Sequence, residues 1–233
     1  MIVELHPQVR VQRLSIGSEG APLLVVDQLV ADPERLVRKA TRLDFAPQGA
    51  FFPGIRVRAP VSYEAFLERL VQPLLAEFFG LRPGRLRFPM CHYSLVTQAP
   101  EKLAFLQRIP HIDSASHQGL ASVHYLFRGP WGGTAFYRHR ATGFEYVDEA
   151  RQESYYRQLQ VESQGPDAPG PGYIGDDTPM FERIGQVEGV FNRLVMYRRN
   201  SLHSATIDNR NVPPPDPVNG RLSINSFIDV LDD

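Results

Sequence analysis

Ala121-Ser-Val-His-Tyr-Leu-Phe127, then Gly129-Pro-Trp-Gly-Gly133, then Thr134-Ala-Phe-Tyr-Arg138 lie almost end to end. A run of apolar, β-branched and aromatic residues, a turn rich in glycine and proline, and a second such run read as two short strands. The pattern repeats outward. Arg85–Val96 precedes it, and Gly189–Arg198, His203–Ile207 and Arg221–Val230 follow, each bounded by Gly, Pro, Asn or Asp. Many short strands with turn punctuation imply a sandwich, jelly roll or barrel. One helical piece, Asp148–Leu159, interrupts them, and Gln164-Gly-Pro-Asp-Ala-Pro-Gly-Pro-Gly172 is too rich in proline and glycine for either regular element.

The first 80 residues differ in character. Val9–Leu14 alternates and Pro22–Val26 is a short buried-type run, so both are expected strands. Asp32-Pro33-Glu34 opens a helix to about Leu43, with an N-cap, a first-turn proline and an early acid. Ala46–Pro60 reads as a loop. Ser62 is expected to cap a helical stretch, Tyr63–Phe79, broken at Pro73 and stopped by Gly80. The expected architecture is therefore mainly β with flanking helices, one domain over 1–233. Residues 1–84 form an α/β extension, and 85–233 form a β core with an insertion near 138–188.

Composition narrows the classes. The 233 residues are 42% apolar, ample for a core, and no apolar run approaches the roughly 20 residues of a membrane-spanning helix. A single cysteine, Cys91, excludes an internal disulfide and a cysteine-based zinc site. The start lacks the basic-then-apolar plan of a secretory signal, so a cytoplasmic protein is expected. A net charge of −1 offers no general attraction to nucleic acid or anionic membrane, and neither is an expected partner.

The chemistry lies in the histidines. Pro110-His111-Ile112-Asp113 puts an imidazole and a carboxylate two residues apart, on one face if extended. Leu202-His203-Ser204 comes about 90 residues later, after an apolar strand. Two histidines and one carboxylate make a facial set that leaves three coordination positions open, which suits non-heme Fe(II), although zinc accepts the same ligands. On the next strand Arg221 and Ser223 share a face. A guanidinium fork with an added hydroxyl is a grip for a carboxylate.

From about Phe88 to Val230 these pieces, in this order, resemble the Fe(II)/2-oxoglutarate-dependent oxygenases, in the broad branch that includes prolyl hydroxylase-like proteins. The ordered pieces are Pro110–Asp113, the glycine-rich pair Tyr125–Tyr137, Phe191-Asn-Arg-Leu-Val-Met-Tyr197, Leu202–Ser204 and Gly220–Ser223. The resemblance implies a double-stranded β-helix, a jelly roll of the cupin kind. It implies that His111, Asp113 and His203 hold Fe(II), and that Arg221, assisted by Ser223, pairs with the far carboxylate of 2-oxoglutarate. A tyrosine from an early core strand, Tyr93 or Tyr125, assists in such relatives. The implied reaction consumes O₂ and 2-oxoglutarate, releases succinate and CO₂, and hydroxylates a C–H bond. Asp113 argues against halogenation, since halogenating relatives lack that ligand. The gap from His203 to Arg221 is longer than usual in the branch, and the proline-rich loop Asn209–Asn219 is expected to absorb it between two adjacent strands.

The remaining candidates have plainer readings. His124, Asn192 and Tyr197 read as core support, His117 as a loop residue, Trp131 as packing and Cys91 as a small buried side chain. The 138–188 insertion is expected to cover the site or to be a surface excursion. Two rivals keep the jelly roll: a cupin-type metal enzyme that does not use 2-oxoglutarate, which leaves Arg221 without a task, and a non-catalytic metal-binding module. The substrate, a small molecule or a peptide, and the oligomeric state have no readable signature.

Overall fold

Strand pairing organises the chain from residue 10 onward. The computed structural model describes residues 2–49 and 51–231. In chain order the elements are β1 (Arg10–Ile16), β2 (Ala21–Asp27), α1 (Pro33–Ala40), β3 (Ala46–Pro47), β4 (Gly54–Arg58), α2 (Val61–Val71) and β5 (Arg85–Val96). There follow β6 (Gly119–Tyr125), β7 (Thr134–His139), α3 (Glu149–Glu162), β8 (Phe181–Val187), β9 (Arg193–Arg198), β10 (His203–Ala205) and β11 (Leu222–Leu231).

The strands form two antiparallel sheets. The larger runs β1-β2-β9-β6-β11-β5-β4-β3 and the smaller β10-β7-β8. A bridge between His111 and His203 adds the segment at 111 to the free edge of β10. From β5 onward the chain alternates between sheets. β5 lies in the large one, 111 in the small, β6 in the large, β7 and β8 in the small, β9 in the large, β10 in the small and β11 in the large. That winding is a double-stranded β-helix. The N-terminal strands widen its large sheet at both edges, β1 and β2 beyond β9, β4 and β3 beyond β5.

Alternation along the strands sorts the large sheet into two faces. Cys91, Tyr93 and Leu95 of β5 and Leu222, Ile224 and Ile228 of β11 share a buried cluster with Leu36, Val37 and Ala40 of α1 and Tyr63, Phe66 and Leu67 of α2. The opposite face turns toward the small sheet, where Tyr125, Val195 and Tyr197 pack with Phe136 of β7. Helix α1 forms where its caps allow. The Asp32 carboxylate accepts from Arg35 N at 3.0 Å, Pro33 opens the first turn, and Arg38 and Lys39 sit in the last. Such a cap contributes about 1 kcal/mol.

A buried polar chain ties the extension to the core. Asn192, at φ 63°, accepts from Val30 N at 3.1 Å and donates to Val30 O at 2.9 Å, which fixes its amide. Its Oδ1 therefore accepts from His124 Nε2 (3.1 Å), and His124 Nδ1 must accept from the Tyr63 hydroxyl (3.0 Å). Burial lowers the His124 pKa to about 4, against a smaller opposing effect of the Asn192 bond, so the ring is neutral.

The structure corrects several expectations. The stretch 46–60, read as loop, holds the hairpin β3–β4, and the 138–188 insertion holds β8. Helix α2 ends at Val71, followed by a 3-10 turn at Gln72–Leu74, because Pro73 cannot donate into the ladder; its N-cap is Pro60, not Ser62. The Asn209–Asn219 loop does not join adjacent strands: β10 and β11 lie in different sheets, so it crosses between them. No helix among the described residues is long and apolar enough to cross a membrane.

Candidate metal and anion site

The small sheet's bridge builds the centre of the site. His111 N–H donates to His203 O and His203 N–H to His111 O, both at 3.0 Å, so the two histidines sit opposite each other at the sheet edge, with ring centres 4.5 Å apart and planes tilted by 48°. Asp113 is not in a strand. Its N–H donates to Arg199 O at 2.8 Å, which turns the carboxylate back toward the two rings. His111 Nε2 lies 3.9 Å from one Asp113 oxygen and His203 Nε2 3.5 Å from the other; the ligand atoms of all three lie within 4.8 Å of one another. His203 Nδ1–H donates to Ser201 O at 2.9 Å, which leaves the Nε2 lone pair pointing into the cluster.

Electrostatics there favour ligation over ionisation of the imidazoles. Burial, then the neighbouring His203, lowers the His111 pKa to about 4. Burial likewise lowers His203 to about 4. The His111 side chain is 49% accessible and lines the cavity. Burial raises the Asp113 pKa, opposed by His111, Arg199 and Arg56. A buried carboxylate beside two neutral imidazoles is a set that a cation would relieve.

The cluster lies on the wall of a cavity of about 770 Å³ between the sheets. The 46–60 stretch and the 138–188 insertion both contribute to that wall. Phe51, Phe52 and Arg56 come from the 46–60 stretch, and Gln152, Tyr155 and Tyr156 from α3 in the insertion. Among the described lining residues only Arg56, Asp113 and Arg221 are charged.

Arg221, just before β11, is 4% exposed and has no acidic partner among the described residues. Its Nε donates to Trp131 O at 2.9 Å and its Nη2 to Gly133 O at 2.8 Å. Those carbonyls reach it because the turn passes so close to Thr206 that a Cβ on Gly132, at φ 70°, would meet Thr206 O at 1.4 Å. Trp131 thus holds the arginine by its carbonyl, while its indole donates to Asn219 O. Burial lowers the Arg221 pKa.

The other expected residues divide. Ser223 is buried on the same face as Arg221, its hydroxyl donating to Asn225 at 2.7 Å. Tyr125 is close: its ring centre is 5.8 Å from the Arg221 guanidinium, and its hydroxyl is bonded to Thr134 at 2.7 Å. Tyr93 lies on the opposite face of the sheet, donating to Leu36 O at 3.0 Å, and is not brought to the cavity. His117 binds Asp148, the N-cap of α3, at 3.1 Å.

Two residues line the cavity beyond those expected there: Tyr197, read as core support and also buried in the core, and Arg56. Tyr197 packs 4.7 Å from the His203 ring and lies within electrostatic range of both Asp113 and Arg221. Its strand is an apolar run, Leu194–Tyr197, buried throughout, and such a run does not say which residue meets a cavity. Arg56 alternates with Ile55 and Val57, yet in a chain whose basic residues are almost all arginine its type carried no signal.

Fold and site together define a double-stranded β-helix protein with a two-histidine, one-carboxylate cluster beside a buried, acid-free arginine. Within that class the chain belongs to a family of unknown function, DUF6445, whose family model matches residues 7–228. No curated protein matches the chain in sequence. Among solved structures it is similar to HygX from Streptomyces hygroscopicus with nickel and 2-oxoglutarate bound, at 13% identity and TM-score 0.49, over 90% of this chain and 83% of that one. It is also similar to SnoN, a non-heme alpha ketoglutarate dependent epimerase from nogalamycin biosynthesis, at 13% identity and TM-score 0.47, over 88% and 76%. The iron-bound form of HygX matches at 10% identity and TM-score 0.48, over 95% and 82%.

Proposed function

We propose that this protein is a non-heme iron oxygenase that uses 2-oxoglutarate to hydroxylate an organic substrate. One observation supports the reading most: a cation-ligand cluster and an arginine buried without an acid line the same cavity. The residues fit the groups. The Asp113 oxygens lie nearer to each histidine nitrogen than the about 4.2 Å that separates donors on opposite sides of one ion. When bound, Fe(II) with 2-oxoglutarate supplies the oxidation, releasing succinate and CO₂ as the C–H bond is hydroxylated.

The chain's own residues provide binding and orientation. His111, Asp113 and His203 would hold the ion and leave the rest of its coordination open to ligands. Arg221 would pair with the distal carboxylate of the cosubstrate. Trp131 and Gly133 carbonyls keep its fork fixed in advance, so little freedom is lost on binding. Tyr197 lines the cavity, Tyr125 packs beside that arginine, and Ser223 orients Asn225 on the cavity face. Aromatic side chains of α3 and of 46–60 line the same cavity as the cluster.

Anaerobic titration with Fe(II) and then 2-oxoglutarate tests the reading through the weak visible charge-transfer band of the chelate. The band is expected in the wild type, absent in His111→Ala, and in Arg221→Ala formed only at about 100-fold higher 2-oxoglutarate. Tight metal binding without a band would instead favour a cupin-type enzyme that does not use this cosubstrate. No metal binding would leave a non-catalytic jelly roll.

A further inference from the structure

The cavity holds two arginines, and the proposed cosubstrate occupies one. Arg56 on β4 lines the same space and forms no ion pair among the described residues. Its Nε donates to Ser94 Oγ at 3.2 Å, and the Phe52 ring lies 3.6 Å from the guanidinium carbon. Neither terminal nitrogen donates to a protein group among the described residues, so a fork held at one end and stacked on one face offers its other edge to the cavity. Burial lowers its pKa to about 10, opposed by nearby Asp113, so it stays cationic at neutral pH.

Register separates the two cations. Arg56 pairs with Ser94 on β5, Ser94 pairs with Ser223 on β11, and Arg221 lies two residues before Ser223. Two strand spacings and two residues put the backbone positions about 12 Å apart, enough for two different anions. Charge gives the second argument. Asp113 is the single acid among the described lining residues and offsets one arginine. A divalent ion and dianionic 2-oxoglutarate offset each other, so one positive charge is left in the cavity without a counter-charge.

We infer that Arg56 is the substrate anchor and that the substrate carries one carboxylate, gripped by the free edge of this guanidinium with its reacting carbon directed at the cluster. The inference rests on the function proposed above, and its test separates the two.

The protein is loaded anaerobically with Fe(II) and titrated first with 2-oxoglutarate by calorimetry. It is then titrated with a panel of alkyl and aryl monocarboxylates, each paired with its primary amide. At least one carboxylate is expected to bind about ten-fold or more tightly than its amide. Arg56→Gln should abolish that preference and keep 2-oxoglutarate affinity within about two-fold. Arg56→Lys should restore part of the preference, because the charge returns without the fork. Arg221→Gln should lose 2-oxoglutarate instead. A wild type that binds 2-oxoglutarate but prefers no carboxylate across the panel overturns the inference alone. So does loss of 2-oxoglutarate in Arg56→Gln with retention in Arg221→Gln, which moves the cosubstrate to Arg56. Failure of the first titration overturns the proposed function, and the charge argument goes with it.

Discussion

The two faces of the large sheet are built from the same strands and do opposite work. On the helix side β5 and β11 present Cys91, Tyr93, Leu95, Leu222 and Ile224 to α1 and α2, a dry interface without a cavity-facing charge. On the other side, one residue out of step, the same two strands present Ser94, Ser223 and Asn225, with Arg56 and Arg221 at either hand. The first face spends its side chains on stability. The second leaves charged groups buried and short of partners, which costs stability and makes room for ligands.

Substitutions on the two faces should therefore fail in different assays. The largest effect is expected from Asp113→Ala. Metal binding should vanish from the titration range, while the metal-free protein should melt no lower than wild type, because a buried carboxylate is removed. A fall in metal-free melting temperature of several degrees would contradict the division of labour. On the helix face, Leu95→Ala should cost about 3 kcal/mol in urea unfolding and leave the metal affinity of the folded fraction unchanged.

His124 sharpens the contrast from the helix side. Its pKa falls from an ordinary 6.5 to about 4 on folding, so the unfolded chain takes up the proton first as pH drops. The stability it contributes is complete above about pH 6.5, declines as pH falls through that window, and levels off below about 4, for a total of up to about 3 kcal/mol. In metal-free protein the slope of unfolding free energy against pH should be shallower in His124→Asn than in wild type between those limits. An unchanged slope would remove His124 as a contributor.

Gly132→Ala bears on the cavity face only through the turn. Relief of the clash with Thr206 should shift the Trp131 and Gly133 carbonyls and weaken 2-oxoglutarate binding about ten-fold, with a loss of stability of about 1–3 kcal/mol. Unaltered cosubstrate affinity would show that Arg221 needs no such cradle.

The sequence was most readable where chemistry restricts residue type. His111, Asp113 and His203 stood out because few side chains ligate metal, and β5 was legible to the residue because Pro83-Gly84 and Thr97–Pro100 bound the run Arg85–Val96. Strands that depend on their neighbours were not. Gly54-Ile-Arg-Val-Arg58 is too short to stand out after Phe51-Phe-Pro-Gly, and β8 carries Gly185 and three polar or charged residues, pairing only because β7 lies beside it. Tyr93 shows the same limit: the pattern placed it on a core strand and gave its alternation, yet only the packing of α1 determines which side it faces.

The bridge between His111 and His203 has a consequence for how the protein can change over evolution. An ion held by both would cross-link chain positions about 90 residues apart, and closing a loop of that length restricts the unfolded chain by about 4–5 kcal/mol. That restriction varies only with the logarithm of loop length, about 0.6 kcal/mol for each doubling. Helix α3 and the proline- and glycine-rich segment after it lie inside the loop, and α3 also walls the cavity. They can lengthen, shorten or be replaced at little thermodynamic penalty to the clasp, leaving the part that meets the substrate free to diverge while the part that holds the ion stays as it is.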